Sequence, residues 1–167
     1  MLPRSVQRYL DERGAGYRVL QHSPRSTAQE TAQAAHVSGK RFAKLVVLKV
    51  GDGEDEFVLA VLPAHELVSL YRLGVIVGGP LRLASEDEVA RLFPDCELGA
   101  APPFGELAGL PVYADACLGG EGSVVFHGGR HTELIEMSWN DYASLASPRI
   151  YDYGRPALAP TPEDLPR

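Results

Sequence analysis

The hydrophobic pattern of the chain divides it into short helices and strands in mixed order. Helical spacing over residues 5–12 places the apolar side chains on one face. Apolar runs rich in β-branched residues cover residues 43–50 and 57–62, and a Gly-Asp-Gly sequence lies between them. This arrangement predicts a β-hairpin.

Capping signals and a proline predict further helices. Residues 27–30 and 85–88 have the Ser/Thr-x-x-Glu spacing of a capping box, in which the first side chain caps the helix and the glutamate reaches back. Pro63 is predicted to open a helix that runs through Leu73, because proline suits the first helical turn.

Two strands near the end of the chain are predicted to form a second hairpin. They cover residues 123–127 and 132–137, and Gly128-Gly129 between them predicts the turn. A final helix is predicted over residues 139–146. Several hairpins without steady βαβ alternation favour an α+β fold on a mixed, largely antiparallel sheet, which can curl into a barrel.

The sequence predicts one domain followed by a tail. The domain is expected to cover residues 1–147, and residues 148–167 form a Pro-rich segment. From Ala157 this segment has little apolar content, so disorder is expected there. Whether residues 149–156 pack back on the domain or point outward stays open.

Composition narrows the class of protein. A chain of 167 residues with 45% hydrophobic residues fits one globular domain. It contains no apolar run of membrane-spanning length and no signal-peptide pattern, so a cytoplasmic protein is expected. The net charge of −6 argues against a general nucleic-acid coat. One small basic cluster, formed by Lys40, Arg41, Lys44 and Lys49, leaves a local phosphate contact open, although a solvated surface is the more common explanation for a run of charges.

Familiar catalytic motifs are absent from the sequence. It has no G-x-S-x-G nucleophile elbow, no phosphate-binding P-loop and no H-E-x-x-H zinc motif. His127 and His131 have an H-x3-H spacing, but the predicted glycine turn separates them. The sequence therefore predicts neither a metal nor a cofactor.

A Gly/Pro-rich loop at residues 98–105 is the remaining candidate for chemistry. It carries no side chain that acts as acid, base or nucleophile, but a stiff loop can aim backbone N–H groups at one point. A plain connection is the alternative. Lys44 can equally be a lysine that snorkels at a strand end, His127 a hydrogen-bonded buried histidine, and His22 a loop residue.

Taken together, these segments resemble the YbaK and prolyl-tRNA synthetase-associated editing-domain family over residues 5–147. The resemblance rests on the order and spacing of several motifs rather than on any single one. These motifs are Tyr17–His22, Ser26–Glu30 before an Ala-rich helix, Ala43–Lys49, Val61–Ala64, the Gly99-x-x-x-Pro103 loop, Pro111–Asp115, Phe126-His127, Thr132 and Asp141.

The resemblance implies a barrel-like mixed sheet surrounded by helices, and deacylation of mischarged tRNA by a free-standing domain without a protein nucleophile. The loop of Gly99 and Pro103 would donate N–H groups near the ester carbonyl, and a water or the terminal ribose 2′-hydroxyl would take part. Lys44 would hold the tRNA end, and His127 would lie near the substrate. The residues implied to contact the substrate are Lys44, Leu45, His22, Thr27, Ala100, Ala101 and His131.

The expected partner is the acceptor end of mischarged tRNA, with an aminoacyl-tRNA synthetase as a further partner and neither DNA nor a membrane. Two positions depart from the family: Leu45 replaces a Thr, Ser or Asn, and His131 replaces an asparagine of some relatives. These departures leave the amino acid open. Two alternatives also stay open, namely a non-catalytic module that binds tRNA or a synthetase, and a hydrolase of another small acyl ester.

Overall fold

The computed structural model describes residues 1–23, 25 and 27–156. Its α-helices are α1 (Arg4–Glu12), α2 (Ala28–Ala34), α3 (Leu70–Val77), α4 (Glu86–Leu92) and α5 (Trp139–Ala146). Its strands are β1 (Arg18–Gln21), β2 (Ala43–Val50), β3 (Phe57–Pro63), β4 (Glu66–Val68), β5 (Leu81–Leu83), β6 (Val112–Asp115), β7 (Ser123–Arg130), β8 (Glu133–Ser138), β9 (Arg149–Tyr151) and β10 (Gly154–Pro156).

The strands form three hydrogen-bonded sheets, with the orders β5-β2-β3-β6-β9, β1-β8-β7 and β10-β4. Strand β6 pairs in parallel with β3 and β9, whereas the other strand pairs are antiparallel. A single bridge between Phe42 and Val125 joins the largest sheet to β7. The α+β class with a mixed, largely antiparallel arrangement is therefore confirmed. No closed barrel is found among the described residues.

Strand β3 lies at the centre of the molecule, and every one of its residues is buried. Side chains alternate between the two faces of a strand, so the strand contributes to two different cores. Phe57, Leu59 and Val61 pack into a core with α1, α5, β7 and β8. Val58 and Leu62 pack on the opposite side with Leu73 of α3. Because β3 is buried on both faces, its sequence is an almost continuous apolar run rather than an alternation of apolar and polar residues.

The helix predicted to start at Pro63 starts later. Pro63 ends β3, and residues 66–68 form strand β4. Helix α3 begins at Leu70, where the hydroxyl of Ser69 accepts a hydrogen bond from the N–H of Arg72 at 3.2 Å. The prediction was wrong because β4 depends on pairing with β10, which lies far away in sequence.

The Gly128-Gly129 turn predicted between the last two strands is also wrong. Strand β7 continues through both glycines to Arg130, and the pairing register shifts between His127 and Arg130. The pair thus forms a β-bulge, which inserts extra residues into one strand. Gly129 has a φ of +106°, a conformation that favours glycine. The turn itself falls at residues 131–132.

Residues 149–156, which the sequence assigned to the tail, form strands β9 and β10. Tyr153 between them is fully buried, and its hydroxyl lies 2.9 Å from the carbonyl oxygen of Val61 and 2.7 Å from that of Tyr113. The segment therefore packs on the domain rather than pointing outward. The expected disorder from Ala157 onward lies outside the described residues. No described helix is long and apolar enough to cross a membrane.

Candidate active site

A cavity of about 480 Å³ lies between β2, the start of α2, the start of α4 and the loop at residues 98–105, called the Gly99 loop below. This volume falls within the range of small-molecule sites. Its polar lining consists of Arg25, Thr27, Thr31, Lys44, Glu86, His127 and His131. Its apolar lining consists of Leu45, Val47, Val89 and Leu98, with Gly99 and four alanines (Ala28, Ala43, Ala84 and Ala101).

The Gly99 loop presents unused backbone donors at this cavity. Gly99 and Ala101 both line it, and the N–H groups of these two residues make no hydrogen bond to any other described residue. Gly99 has a φ of +82°, in the region that favours glycine. The loop can therefore offer two N–H groups to a ligand without breaking an internal hydrogen bond.

The β7 bulge holds this loop in place through its backbone. The N–H of Glu97 donates to the carbonyl of Gly129 at 2.8 Å, and the N–H of Gly129 donates to the carbonyl of Ala100 at 2.8 Å. Since a peptide unit is planar, fixing the Ala100 carbonyl also fixes the direction of the Ala101 N–H. The bulge therefore orients one of the two free donors.

Helix α5 anchors the other end of the loop. The hydroxyl of Tyr142 donates to the carbonyl oxygen of Pro103 at 2.9 Å, and both residues are buried. Phe104, also fully buried, packs its ring against those of Tyr9, Phe126 and Tyr142. Pro103 therefore serves the loop as a buried anchor and does not line the cavity.

Lys44 places its ammonium at the edge of the cavity. It is half-buried, and burial lowers its pKa, although the negative charge of Glu66 acts in the opposite direction. Its Nζ atom lies 3.4 Å from the carbonyl oxygen of Ala64, which is long for a hydrogen bond. The ammonium is thus weakly held and has donors available for an anionic ligand.

His127 lies at the wall of the cavity among other aromatic rings. Its ring packs edge-on against Phe42 and His131, with centroid distances of 5.5 and 5.9 Å. Burial lowers its pKa to about 4, and repulsion from His131 and His22 acts in the same direction. Its Nε2 atom is buried and finds no hydrogen-bond partner among the described residues. His127 is therefore a neutral imidazole with one free nitrogen.

Most of the residues that the sequence singled out meet at this cavity. The exceptions are Ala100, which is fully buried behind the loop, Pro103, and His22. The centroid of the His22 ring lies 6.3 Å from that of His127, but His22 does not line the cavity. The sequence analysis missed Arg25, which precedes α2, and it also missed Thr31 of α2 and Glu86 and Val89 of α4, all of which line the cavity.

The basic cluster of Lys40, Arg41, Lys44 and Lys49 does not act as one surface. Arg41 hydrogen-bonds to Ser123 at 3.0 Å and forms an ion pair with Glu136. The ammonium of Lys49 donates to a carbonyl in the β2–β3 turn and lies 5.1 Å from the Phe57 ring centroid. Of these four residues, only Lys44 lines the cavity.

A separate group of potential metal-binding atoms comes from residues that do not line the cavity. Among the described residues, one atom each from Glu66, Asp115 and Cys117 lie within 4.8 Å of one another. The carboxylate of the buried Asp115 accepts hydrogen bonds from the backbone N–H groups of Cys117, Tyr153 and Gly154. Asp115 thus has a structural role at the junction of β6 and the strands that follow α5.

Comparisons with known proteins identify the family of the chain. Residues 22–145 match the model of the aminoacyl-tRNA editing domain. The chain is 32% identical over 152 residues to the multifunctional Ser/Thr-tRNA deacylase ProXp-y of Escherichia coli (strain K12), covering 89% of this chain and 90% of the relative. A crystal structure described as a candidate trans-editing enzyme for prolyl-tRNA synthetase superposes with a TM-score of 0.80 at 28% identity. The match covers 93% of this chain and 99% of that one.

The low pKa of His127 predicts a pH dependence of stability. The ordinary pKa of histidine is 6.5, and in the fold it is about 4. Between these values the unfolded chain binds a proton at His127 that the folded chain does not. The free energy of unfolding should therefore fall as the pH drops from 6.5 towards 4, by at most about 1.4 kcal/mol per pH unit from this group. Chemical denaturation across this range should give a shallower dependence for His127→Gln.

An exposed histidine provides the control for this measurement. His65→Gln removes an imidazole from the surface, so its curve should follow that of the unaltered protein. Parallel curves for His127→Gln and the unaltered protein would contradict a buried neutral His127.

Proposed function

The chain belongs to the aminoacyl-tRNA editing domain family, and we propose that it acts as a free-standing enzyme that hydrolyses mischarged tRNA in trans. Aminoacyl-tRNA deacylation is the activity of the family and of the ProXp-y relative. The observation that carries the finer proposal is the Gly99 loop. Its two free N–H groups lie at a cavity whose polar groups include a cation and a neutral imidazole.

The proposed chemistry needs no protein nucleophile. An aminoacyl ester is already activated, so a water can attack its carbonyl carbon, and the neighbouring ribose hydroxyl can relay the proton that this water loses to the leaving ribose oxygen. Negative charge then develops on the carbonyl oxygen, and the bond to the ribose oxygen breaks. In this proposal the N–H groups of Gly99 and Ala101 receive that oxygen. One well-aimed donor of this kind lowers the activation barrier by roughly 3 kcal/mol, which raises the rate a hundredfold or more.

Lys44 is the proposed contact to the tRNA end, and Arg25 is a second cation at the same cavity. Both line the cavity, and Glu86 is the only acidic side chain among the described residues that do. Among these described residues, the charged side chains that line the cavity are therefore two cations and one anion, whereas the chain as a whole carries a net charge of −6. A phosphate of the single-stranded acceptor end would replace the long contact of Lys44 to Ala64.

The proposed substrate is an ester of a small amino acid. Leu45 and Val47 contribute an apolar wall, and Thr27 and Thr31 contribute hydroxyl groups. The Thr31 hydroxyl donates to the carbonyl of Thr27 at 2.9 Å, so its oxygen can still accept a hydrogen bond. Serine and threonine, which the name of the ProXp-y relative specifies, are the first esters to test. In an apolar pocket, two substrates that differ by one methylene differ in transition-state binding free energy by only about 1–3 kcal/mol. Esters of related small amino acids therefore belong in the same assay.

A panel of charged tRNAs tests this function. The esters are those of serine, threonine, alanine, cysteine and proline, with phenylalanine as a bulky control. We expect hydrolysis of one or more small esters above the spontaneous rate, and no acceleration for phenylalanine. Release of amino acid under single-turnover conditions is the measurement.

Two other outcomes would point to the alternative functions. Binding of tRNA without hydrolysis of any ester would indicate a non-catalytic module. Hydrolysis of small acyl esters at the same rate whether or not the acyl group is attached to tRNA would indicate a hydrolase of another acyl ester.

Replacing Lys44 should weaken tRNA binding with little effect on folding. Lys44→Met keeps much of the side-chain stem but removes the charge. Because one phosphate contact is lost, the slope of log K against log salt concentration should flatten by about 0.7. Fluorescence anisotropy with labelled tRNA at several salt concentrations measures this slope. Lys49→Met, on the same strand but away from the cavity, is the matched control, and identical slopes for both variants would remove Lys44 from the interface.

Replacing Gly99 should abolish hydrolysis and leave a folded protein. Gly99→Val forces a β-branched residue into a left-handed conformation, which costs about 1–2 kcal/mol or more, and displaces the N–H groups of the loop. Gly109→Val is the matched control, since Gly109 has a φ of +68°, lies in open space and is not in the cavity. Both variants should melt a few degrees lower, but only Gly99→Val should lose about a hundredfold in rate. A folded Gly99→Val protein with full activity would exclude the loop from the mechanism.

A further inference from the structure

We propose that His131 is a positioning residue that sets the direction of the Gly99 N–H in the hydrolytic site. This inference rests on the proposed function. His131 is half-buried in the turn after the β7 bulge, and it lines the cavity. Its role in this proposal is to hold the loop, whereas the substrate contacts are made by other groups.

The argument starts from one hydrogen bond. The Nε2 atom of His131 lies 2.6 Å from the carbonyl oxygen of Leu98. A carbonyl oxygen can only accept, so the proton is on Nε2 of the imidazole. Among the described residues, no other side chain is hydrogen-bonded to the carbonyl of Leu98.

This bond acts on Gly99 through the geometry of the peptide unit. The carbonyl of Leu98 and the N–H of Gly99 belong to the same planar trans peptide, in which they point in opposite directions. Holding the oxygen on one side therefore fixes the N–H on the other. A carbonyl that accepts a hydrogen bond also polarises its peptide unit, so the N–H becomes a better donor.

The two free donors of the loop are thus held in parallel ways. The carbonyl of Ala100, which shares a peptide unit with the N–H of Ala101, is held by the backbone N–H of Gly129. The carbonyl of Leu98 is held by a side chain two residues further along the same strand and turn. Only the second of these hydrogen bonds, made by the His131 side chain, can be removed by a substitution that leaves the backbone intact.

Close packing adds to the hydrogen bond. A Cβ atom built on Gly99 would lie 3.5 Å from Cε1 of His131, so the imidazole ring lies directly beside this glycine. The ring of His131 also packs edge-on against His127. The imidazole therefore contacts the loop at two points, the carbonyl oxygen of Leu98 and the Cα side of Gly99.

The test compares His131→Leu with His131→Gln in single-turnover deacylation. Leucine removes the donor, whereas the glutamine amide can still donate to the Leu98 carbonyl. We expect the leucine variant to lose roughly tenfold to a hundredfold in rate, as misplaced catalytic groups do. Its affinity for uncharged tRNA should stay within about twofold, and glutamine should restore most of the rate. Thr132→Val, in the same turn but exposed, is the matched control.

A second measurement reports on the loop without any substrate. The N–H of Ala100 donates to the carbonyl of Glu97 at 3.0 Å, so its hydrogen exchange reports on the order of the loop. Exchange at Ala100 should be faster in His131→Leu and near normal in His131→Gln and Thr132→Val.

Several results would overturn the role of His131. These are an unchanged rate in the leucine variant, an equal loss in both variants, unchanged exchange at Ala100, or a loss confined to tRNA affinity. An unaltered protein that hydrolyses no ester would instead count against the proposed function, and the exchange measurement would still decide whether His131 holds the loop.

Discussion

The candidate site depends on the hydrogen bonds between the β7 bulge and the Gly99 loop. The bulge brings Gly129 and His131 to the carbonyl groups of Ala100 and Leu98, which belong to the peptide units that carry the two free donors. A side chain at Gly129 is not tolerated, because a Cβ there would lie 2.5 Å from Cγ of Pro3. The glycine that allows the bulge therefore also allows α1 to pack beside it.

The surrounding structure keeps the site's polar groups ready for a ligand. Burial favours the uncharged forms of His127 and Lys44, since it lowers the pKa of both side chains. Neither is neutralised by a close ion pair among the described residues. Where water is excluded in this way, hydrogen bonds and charge contacts to a substrate are stronger than they are in bulk water. In the proposed mechanism, orientation and charge stabilisation act without a protein nucleophile.

The components of the site could be predicted from the sequence better than their connections. A loop rich in glycine and proline but free of ionisable side chains suggested backbone donors at Gly99, and the structure leaves that N–H free. Sequence alone did not indicate that His131 contacts Leu98, since the resemblance implied only a contact between His131 and the substrate. It also grouped Lys44 with Arg41, whose guanidinium is bound to Ser123 and Glu136.

The sequence by itself determined the α+β class, the β2–β3 hairpin and the capping box at Ser85, which is formed as predicted. Each of these depends on residues close together in the chain, so capping residues and the pattern of apolar positions are enough to predict it. Tertiary structure alone decided that β4 pairs with β10, that Gly128-Gly129 forms a bulge, and that this bulge meets the Gly99 loop. These features depend on hydrogen bonds between segments that are distant in the chain. Such bonds form only when the folded core packs these segments together, so no local pattern of residues predicts them.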